Sequence, residues 1–142
     1  MIGKIKQFIF VLAGLAGLVL ITSCAPTSET MPPSEMDNLQ PSGQIVNGIR
    51  VIEVTAKKYA FSPDPIVVRA GENVRVKLTS EDTTHGFALP AYDIDVKIEP
   101  GKTSTASFTA QSAGQYPIHC SVFCGWGHPT MTATLVVLPA AE

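Results

Sequence analysis

An all-β domain of Greek-key sandwich or barrel type is predicted for residues 48–142. Three observations predict it: apolar residues recur with period two, turn residues punctuate the runs, and no segment carries a helical period. Val74, Val76 and Leu78 alternate with Arg75, Lys77 and Thr79, the pattern of a half-buried strand. Ile94, Val96 and Ile98 alternate with Asp95, Lys97 and Glu99 in the same way, as do Ile52 and Val54 with Glu53 and Thr55. Ile66-Val67-Val68 reads as a short buried strand, and Met131, Ala133, Leu135 and Val137 share one face of the last strand. Turn signals fall at Ala70-Gly71-Glu72, Pro100-Gly101-Lys102 and Ser112-Ala113-Gly114-Gln115. Short strands joined this way predict an antiparallel arrangement. Residues 48–142 are enough to bury a core without a staple.

Two segments precede that domain. Lys4 and Lys6 are followed by the uncharged apolar run Phe8 to Ile21, which ends at Thr22-Ser23-Cys24. That run is too short for a spanning helix, which needs roughly 20 residues, and has the form of a signal-peptide core. Ile21-Thr22-Ser23-Cys24 resembles a bacterial lipobox, which assigns 1–23 to a lipoprotein signal peptide and Cys24 to lipidation. Acyl chains on Cys24 would anchor the exported protein to a membrane, with the domain on the periplasmic or extracellular side. Residues 24–47, with Pro26, Pro32, Pro33 and Pro41 among polar residues, read as a disordered tether of roughly 25–30 Å rms reach. Formal net charge is −2, and losing Lys4 and Lys6 with the leader makes the remainder more acidic. No basic stripe is present, so nucleic acid is not an expected partner.

The chemistry concentrates between Cys120 and Met131, in the run Cys-Ser-Val-Phe-Cys-Gly-Trp-Gly-His-Pro-Thr-Met. Two thiols (Cys120, Cys124), an imidazole (His128) and a thioether (Met131) fall together in a chain with three cysteines, three histidines and four methionines. Soft sulfur with imidazole selects copper, and an outlying Met points the same way. His85 opens a strand whose other inward residues are Phe87 and Leu89, and it can complete the set. Strand alternation brings His85, Cys120 and Met131 to one pole of the sandwich, while Gly125 and Gly127 let the loop turn tightly. His119 alternates to the face opposite Cys120 and is read as an exposed strand histidine rather than a ligand. A disulfide between Cys120 and Cys124 is the competing reading for an exported pair.

The pattern Cys-Ser-x-x-Cys-Gly-x-x-His-x-x-Met, with His85-Gly-Phe-Ala-Leu-Pro90 upstream, resembles the CuA domain of cytochrome c oxidase subunit II. It is similar also to the CuA domain of nitrous oxide reductase. The resemblance covers roughly residues 50–138. It implies a cupredoxin fold holding two copper ions, bridged by the sulfurs of Cys120 and Cys124. His85 would bind one copper and His128 the other, with Met131 and the backbone carbonyl of Val122 as weak outer ligands, one per copper. The implied activity is one-electron transfer with a redox partner such as cytochrome c or a terminal oxidase, with no independent catalysis. Phe87, Phe123 and Trp126 are expected to form an apolar shell that tunes the potential. Two departures stand out: no pair of membrane helices is expected ahead of the domain beyond the signal segment, and Val122 occupies a position that is commonly acidic in oxidases.

Other residues carry weaker signals. Trp126 reads either as an electron-accepting aromatic or as a lid over the metals, and Glu81, Asp82, Asp93 and Asp95 either as an acidic docking patch or as ordinary loop charges. Tyr59 and Phe61 read as core or edge packing. A copper carrier or delivery module is the alternative function. No nucleophile, base and orienter occur together, so hydrolysis is not supported.

Overall fold

The computed structural model describes residues 32–36 and 38–141. The signal peptide read over 1–23 and the lipidation site Cys24 lie outside the described residues. A four-residue helix, α1 (Pro33–Met36), precedes the strands β1 (Gln44–Val46), β2 (Ile49–Lys57), β3 (Ala60–Ser62), β4 (Ile66–Arg69) and β5 (Asn73–Ser80). Then come β6 (His85–Leu89), β7 (Ile94–Ile98), β8 (Ser104–Thr109), β9 (Gly114–His119) and β10 (Thr132–Leu138). One sheet has the order β1-β2-β5-β8, with β3 on β2; the other runs β4-β10-β9-β6-β7. The all-β sandwich expected from the periodicity is what forms.

Alternation dictates which side chains fill the space between the sheets. Val74, Val76 and Leu78 of β5 are buried, while their alternate neighbours Arg75, Lys77 and Thr79 are exposed. They meet Val68, Phe87, Ile118 and Leu135 of the opposite sheet in one core, with Phe61 edge-on to Phe87 at 5.7 Å.

Two expectations need correction. The sheets are mixed rather than purely antiparallel: β2 pairs parallel with β5, and β4 parallel with β10. Parallel neighbours need a crossover, and the passage from β2 through β3 of the same sheet and β4 of the opposite sheet supplies one. The second half of the presumed tether 24–47 belongs to the domain. Residues 44–46 pair with 49–51 as β1, and Ser42 exchanges two hydrogen bonds with Val67: its N–H donates to the Val67 carbonyl (2.7 Å) and its Oγ accepts from the Val67 N–H (2.9 Å). Met36 and Leu39 pack on Val67, Val136 and Leu138, residues that point away from the main core. The physical reason is visible in the apolar runs Ile66–Val68 and Leu135–Leu138. Strands apolar on both faces need cover on both faces, and the N-terminal segment provides it.

Arg50 locks this segment in place. It is 8% exposed, donates to both carboxylate oxygens of Glu72 (2.5 and 2.6 Å) and reaches the Ser42 carbonyl at 3.0 Å. Burial pushes the Glu72 carboxyl up, but the Arg50 side chain, the Arg69 N–H and both positive charges outweigh it and hold the carboxyl below its ordinary value.

Candidate metal centre

His85 begins β6, held opposite Ile98 of β7, and is fully buried. Cys120 follows β9 directly, and its N–H donates to the Met131 carbonyl at 3.0 Å. That bond continues the β9–β10 ladder, in which His119 faces Thr132, so the ligand loop is closed at its base by the sheet. Within the loop, the His128 N–H reaches the Gly125 carbonyl and the Met131 N–H reaches the His128 carbonyl, a tight turn that returns the chain to β10.

The donors converge. Nδ1 of His85 is 3.9 Å from Sγ of Cys120, which is 3.8 Å from Sγ of Cys124, which is 3.9 Å from Nδ1 of His128. Sδ of Met131 lies 3.7 Å from Sγ of Cys124, and the Val122 carbonyl oxygen 3.1 Å from Sγ of Cys120. Ligand atoms of His85, Cys120 and Cys124 all fall within 4.8 Å of one another. All six donors anticipated from the sequence are therefore brought to one pole. The thiols are free, and 3.8 Å is far beyond the roughly 2.05 Å of a disulfide, which removes the cross-link reading.

These spacings fit a metal. Two donors each about 2.0–2.3 Å from one ion, at a near-tetrahedral angle, sit about 3.3–3.8 Å apart. Burial, followed by the adjacent Cys120 thiol, pushes the Cys124 thiol up to about 11, so a metal must displace its proton. A buried His/Cys/Cys cluster with a thioether beside it supports copper.

Neighbouring residues hold the donors in place. Oδ1 of Asp82 is 2.8 Å from Nε2 of His85. The Asp82 carboxylate also accepts from the N–H groups of Lys58 (2.9 Å) and Thr83 (2.7 Å). Burial pushes the Asp82 carboxyl up, but these hydrogen bonds outweigh it and hold it at about 2, ionised at neutral pH. An ionised carboxylate on Nε2–H leaves Nδ1 as the free lone pair, facing the thiols. The Gly86 N–H approaches Cys120 Sγ at 3.5 Å, and this passage requires glycine: a Cβ there would lie 2.0 Å from Ser121 Oγ. Ser121 in turn donates to Asp95 at 2.5 Å.

Several weaker readings are settled by position. Phe87 is buried and Trp126, 95% exposed, is neither shell nor lid, while Phe123, 71% exposed, keeps its ring 5.8 Å from that of His128. Asp82 holds His85 and Asp95 accepts from Ser121 of the ligand loop, while Glu81 pairs with Lys57 at 3.1 Å. Tyr59 lies against the ligand loop, since Cβ atoms at Gly125 and Gly127 would meet it at 2.6 and 2.3 Å. His119 is exposed and stands apart from the donors, as alternation predicts. The Asp82 role was missed because a carboxylate three residues before a histidine has no distinctive sequence signal outside a known loop conformation.

The cupredoxin-like domain family model matches residues 15–137. Cytochrome c oxidase subunit 2 of Thermus thermophilus is 38% identical over 86 residues, 61% of this chain and 64% of that protein. The chain therefore spans somewhat less than two thirds of that relative's length. Nitrous-oxide reductase of Cupriavidus necator is 31% identical over 110 residues, 74% of this chain but 17% of the reductase. Among solved structures, a heme-copper terminal oxidase dimer matches with TM-score 0.60 and 25% identity, over 71% of this chain and 73% of the other. The periplasmic domain of cytochrome oxidase subunit II from Bradyrhizobium japonicum shares the fold, with TM-score 0.60 and 23% identity over 71% of this chain and 88% of that domain. With strand order, buried soft donors and relatives in agreement, this chain belongs to the cupredoxin-like domain family and is homologous to subunit II of cytochrome c oxidase.

Proposed function

We propose that this protein is a membrane-anchored electron carrier of CuA type, holding two copper ions and exchanging electrons with a cytochrome c or a terminal oxidase. The observation that carries the reading is the division of the donor set around a central sulfur pair. Each sulfur has one imidazole at 3.9 Å and one weak donor nearby, the Val122 carbonyl beside Cys120 and the Met131 thioether beside Cys124. A single ion has no use for six donors spread over such a row; two ions sharing the thiolates use them all. His85, Cys120, Cys124 and His128 would hold the pair, with Met131 and the Val122 carbonyl outside it. When bound, the pair supplies a one-electron couple spread over both ions.

The chain supplies rigidity. Asp82 fixes the imidazole of His85, Gly86 directs an N–H at Cys120, and the β9–β10 ladder fixes both ends of the loop. Buried Phe87 and Met131 keep water from the inner side. Donors held this way change position little between charge states, which suits repeated electron transfer more than metal delivery. The anchor is assigned to Cys24, with residues 1–23 removed as a leader. Among the described residues no helix is long and apolar enough to cross a membrane.

The test is copper stoichiometry with visible and EPR spectra on the full chain loaded under reducing conditions. Two coppers per chain and hyperfine structure from one electron over two nuclei is the expected result. One copper with a single-nucleus pattern would replace this reading with a mononuclear carrier or delivery module.

A further inference from the structure

We infer that the hydrogen bond from Ser121 to Asp95 is a clasp that positions the Gly86 N–H on the Cys120 sulfur and so sets the reduction potential of the metal centre. The inference deepens the electron-carrier reading above and rests on it.

Strand register puts the clasp where the sheet lets go. Ala88 of β6 pairs with Asp95 of β7 on one side and with His119 of β9 on the other. Among the described residues the register between β6 and β9 is limited to Ala88–His119, so beyond it the ligand loop leaves β6. Antiparallel counting brings Ser121 opposite Gly86, on the same outer face as Ala88 and Asp95. Gly86 has no side chain, and Ser121 takes the empty place: a Cβ on Gly86 would lie 2.0 Å from Ser121 Oγ and 2.9 Å from Ser121 N. Across that gap the hydroxyl donates to Oδ1 of Asp95 at 2.5 Å, the length of a hydrogen bond to a carboxylate. The start of the ligand loop is thus tied over β6 to β7.

Each partner of this contact is next in the chain to a donor, Gly86 to His85 and Ser121 to Cys120. On the inner side the Gly86 N–H stands 3.5 Å from Cys120 Sγ, which is 3.9 Å from Nδ1 of His85. Ser121 lifting from Gly86 would lengthen both separations. An N–H aimed at a thiolate stabilises the electron-rich, reduced state, and so raises the potential. Asp95 and Ser121 act through Gly86 and Cys120 and are positioning residues.

The negative charge of Asp95 has an effect of its own, and its sign is opposite. Removing a negative charge near the site raises the potential, whereas opening the clasp lowers it. Ser121→Ala opens the clasp and leaves every charge in place, so it separates the two. The experiment follows exchange of the Gly86 amide by NMR in the reduced, metal-free full chain, and the reduction potential by voltammetry in the copper-loaded chain. In Ser121→Ala the exchange should quicken about fivefold, the worth of one hydrogen bond, and the potential should fall. Ser121→Thr keeps the hydroxyl and should restore both values. With Asp95→Ala already in place, Ser121→Ala should add nothing further to the exchange rate.

Unchanged Gly86 exchange in Ser121→Ala would overturn the clasp. Faster exchange with an unchanged or raised potential would overturn its role at the sulfur and leave a contact that supports the fold alone. A parent chain that loads one copper would overturn the two-copper reading; exchange in the metal-free chain and the sign of the potential shift would still decide the clasp.

Discussion

The carboxylate of Asp82 stands 2.8 Å from Nε2 of His85, on the side of the ring away from the Cys120 sulfur. One residue thus orients the imidazole, sets which nitrogen keeps its lone pair, and ties the ligand strand to the N–H of Lys58. Asp82→Ala should weaken copper binding about 10- to 100-fold, read by competition with a chelator. An unchanged affinity would return Asp82 to an ordinary loop charge.

The central sulfur pair makes a sharper demand. Cys120→Ser and Cys124→Ser should each lose the two-copper spectrum, leaving at most one copper with a different colour. Retention of the parent spectrum in either variant would disprove bridging.

Met131 is fully buried beside Cys124 and three residues beyond His128 in the loop. Met131→Leu conserves volume, so the fold should lose less than about 1.5 kcal/mol. Copper should stay and the reduction potential shift, because a weak outer donor tunes more than it holds. Complete loss of copper in voltammetry samples would show Met131 to be essential for holding the metal.

Gly127 has φ −85°, a conformation open to any residue, so its requirement for glycine is steric. A Cβ there would lie 2.3 Å from the Tyr59 ring. Gly127→Ala should cost about 1–3 kcal/mol in denaturant unfolding. In a Tyr59→Ala background the cost should largely vanish, and full additivity would sever the link between the two residues.

At the far pole, Glu72 titrates with its folded value below the ordinary 4.5. A depressed carboxyl contributes stability that is complete above the unfolded value and lost as pH falls through the folded one. Stability should therefore decline below about pH 4.5, and Glu72→Gln should flatten that decline. Glu72→Ala leaves Arg50 buried without its carboxylate and should cost about 3 kcal/mol at neutral pH. Urea titrations across pH measure both.

Much of this was legible in the residues. Alternation in β5 and β7 gave the strands and their inward faces, because a half-buried strand must sort its side chains with period two. The donor set was legible because metal chemistry restricts residue types and loop spacing more tightly than packing does. The Arg50–Glu72 pair and the cover over Val67, Val136 and Leu138 were not, since they join segments far apart in the chain. The polar, proline-rich composition of 24–47 hid the few apolar residues, Met36 and Leu39, that matter there.

By itself the sequence determined that the domain is built of strands, which follows from local pattern, and it offered two thiols, two imidazoles and a thioether of the right chemistry, while the Val122 carbonyl came only from the resemblance to CuA domains. Only the tertiary structure decided that Asp82 serves His85, that Tyr59 rests on the ligand loop, that Phe123 and Trp126 face water, and that the N-terminal segment closes the opposite pole. Those are relations between surfaces brought together by the packing of two sheets, and no stretch of chain carries them alone.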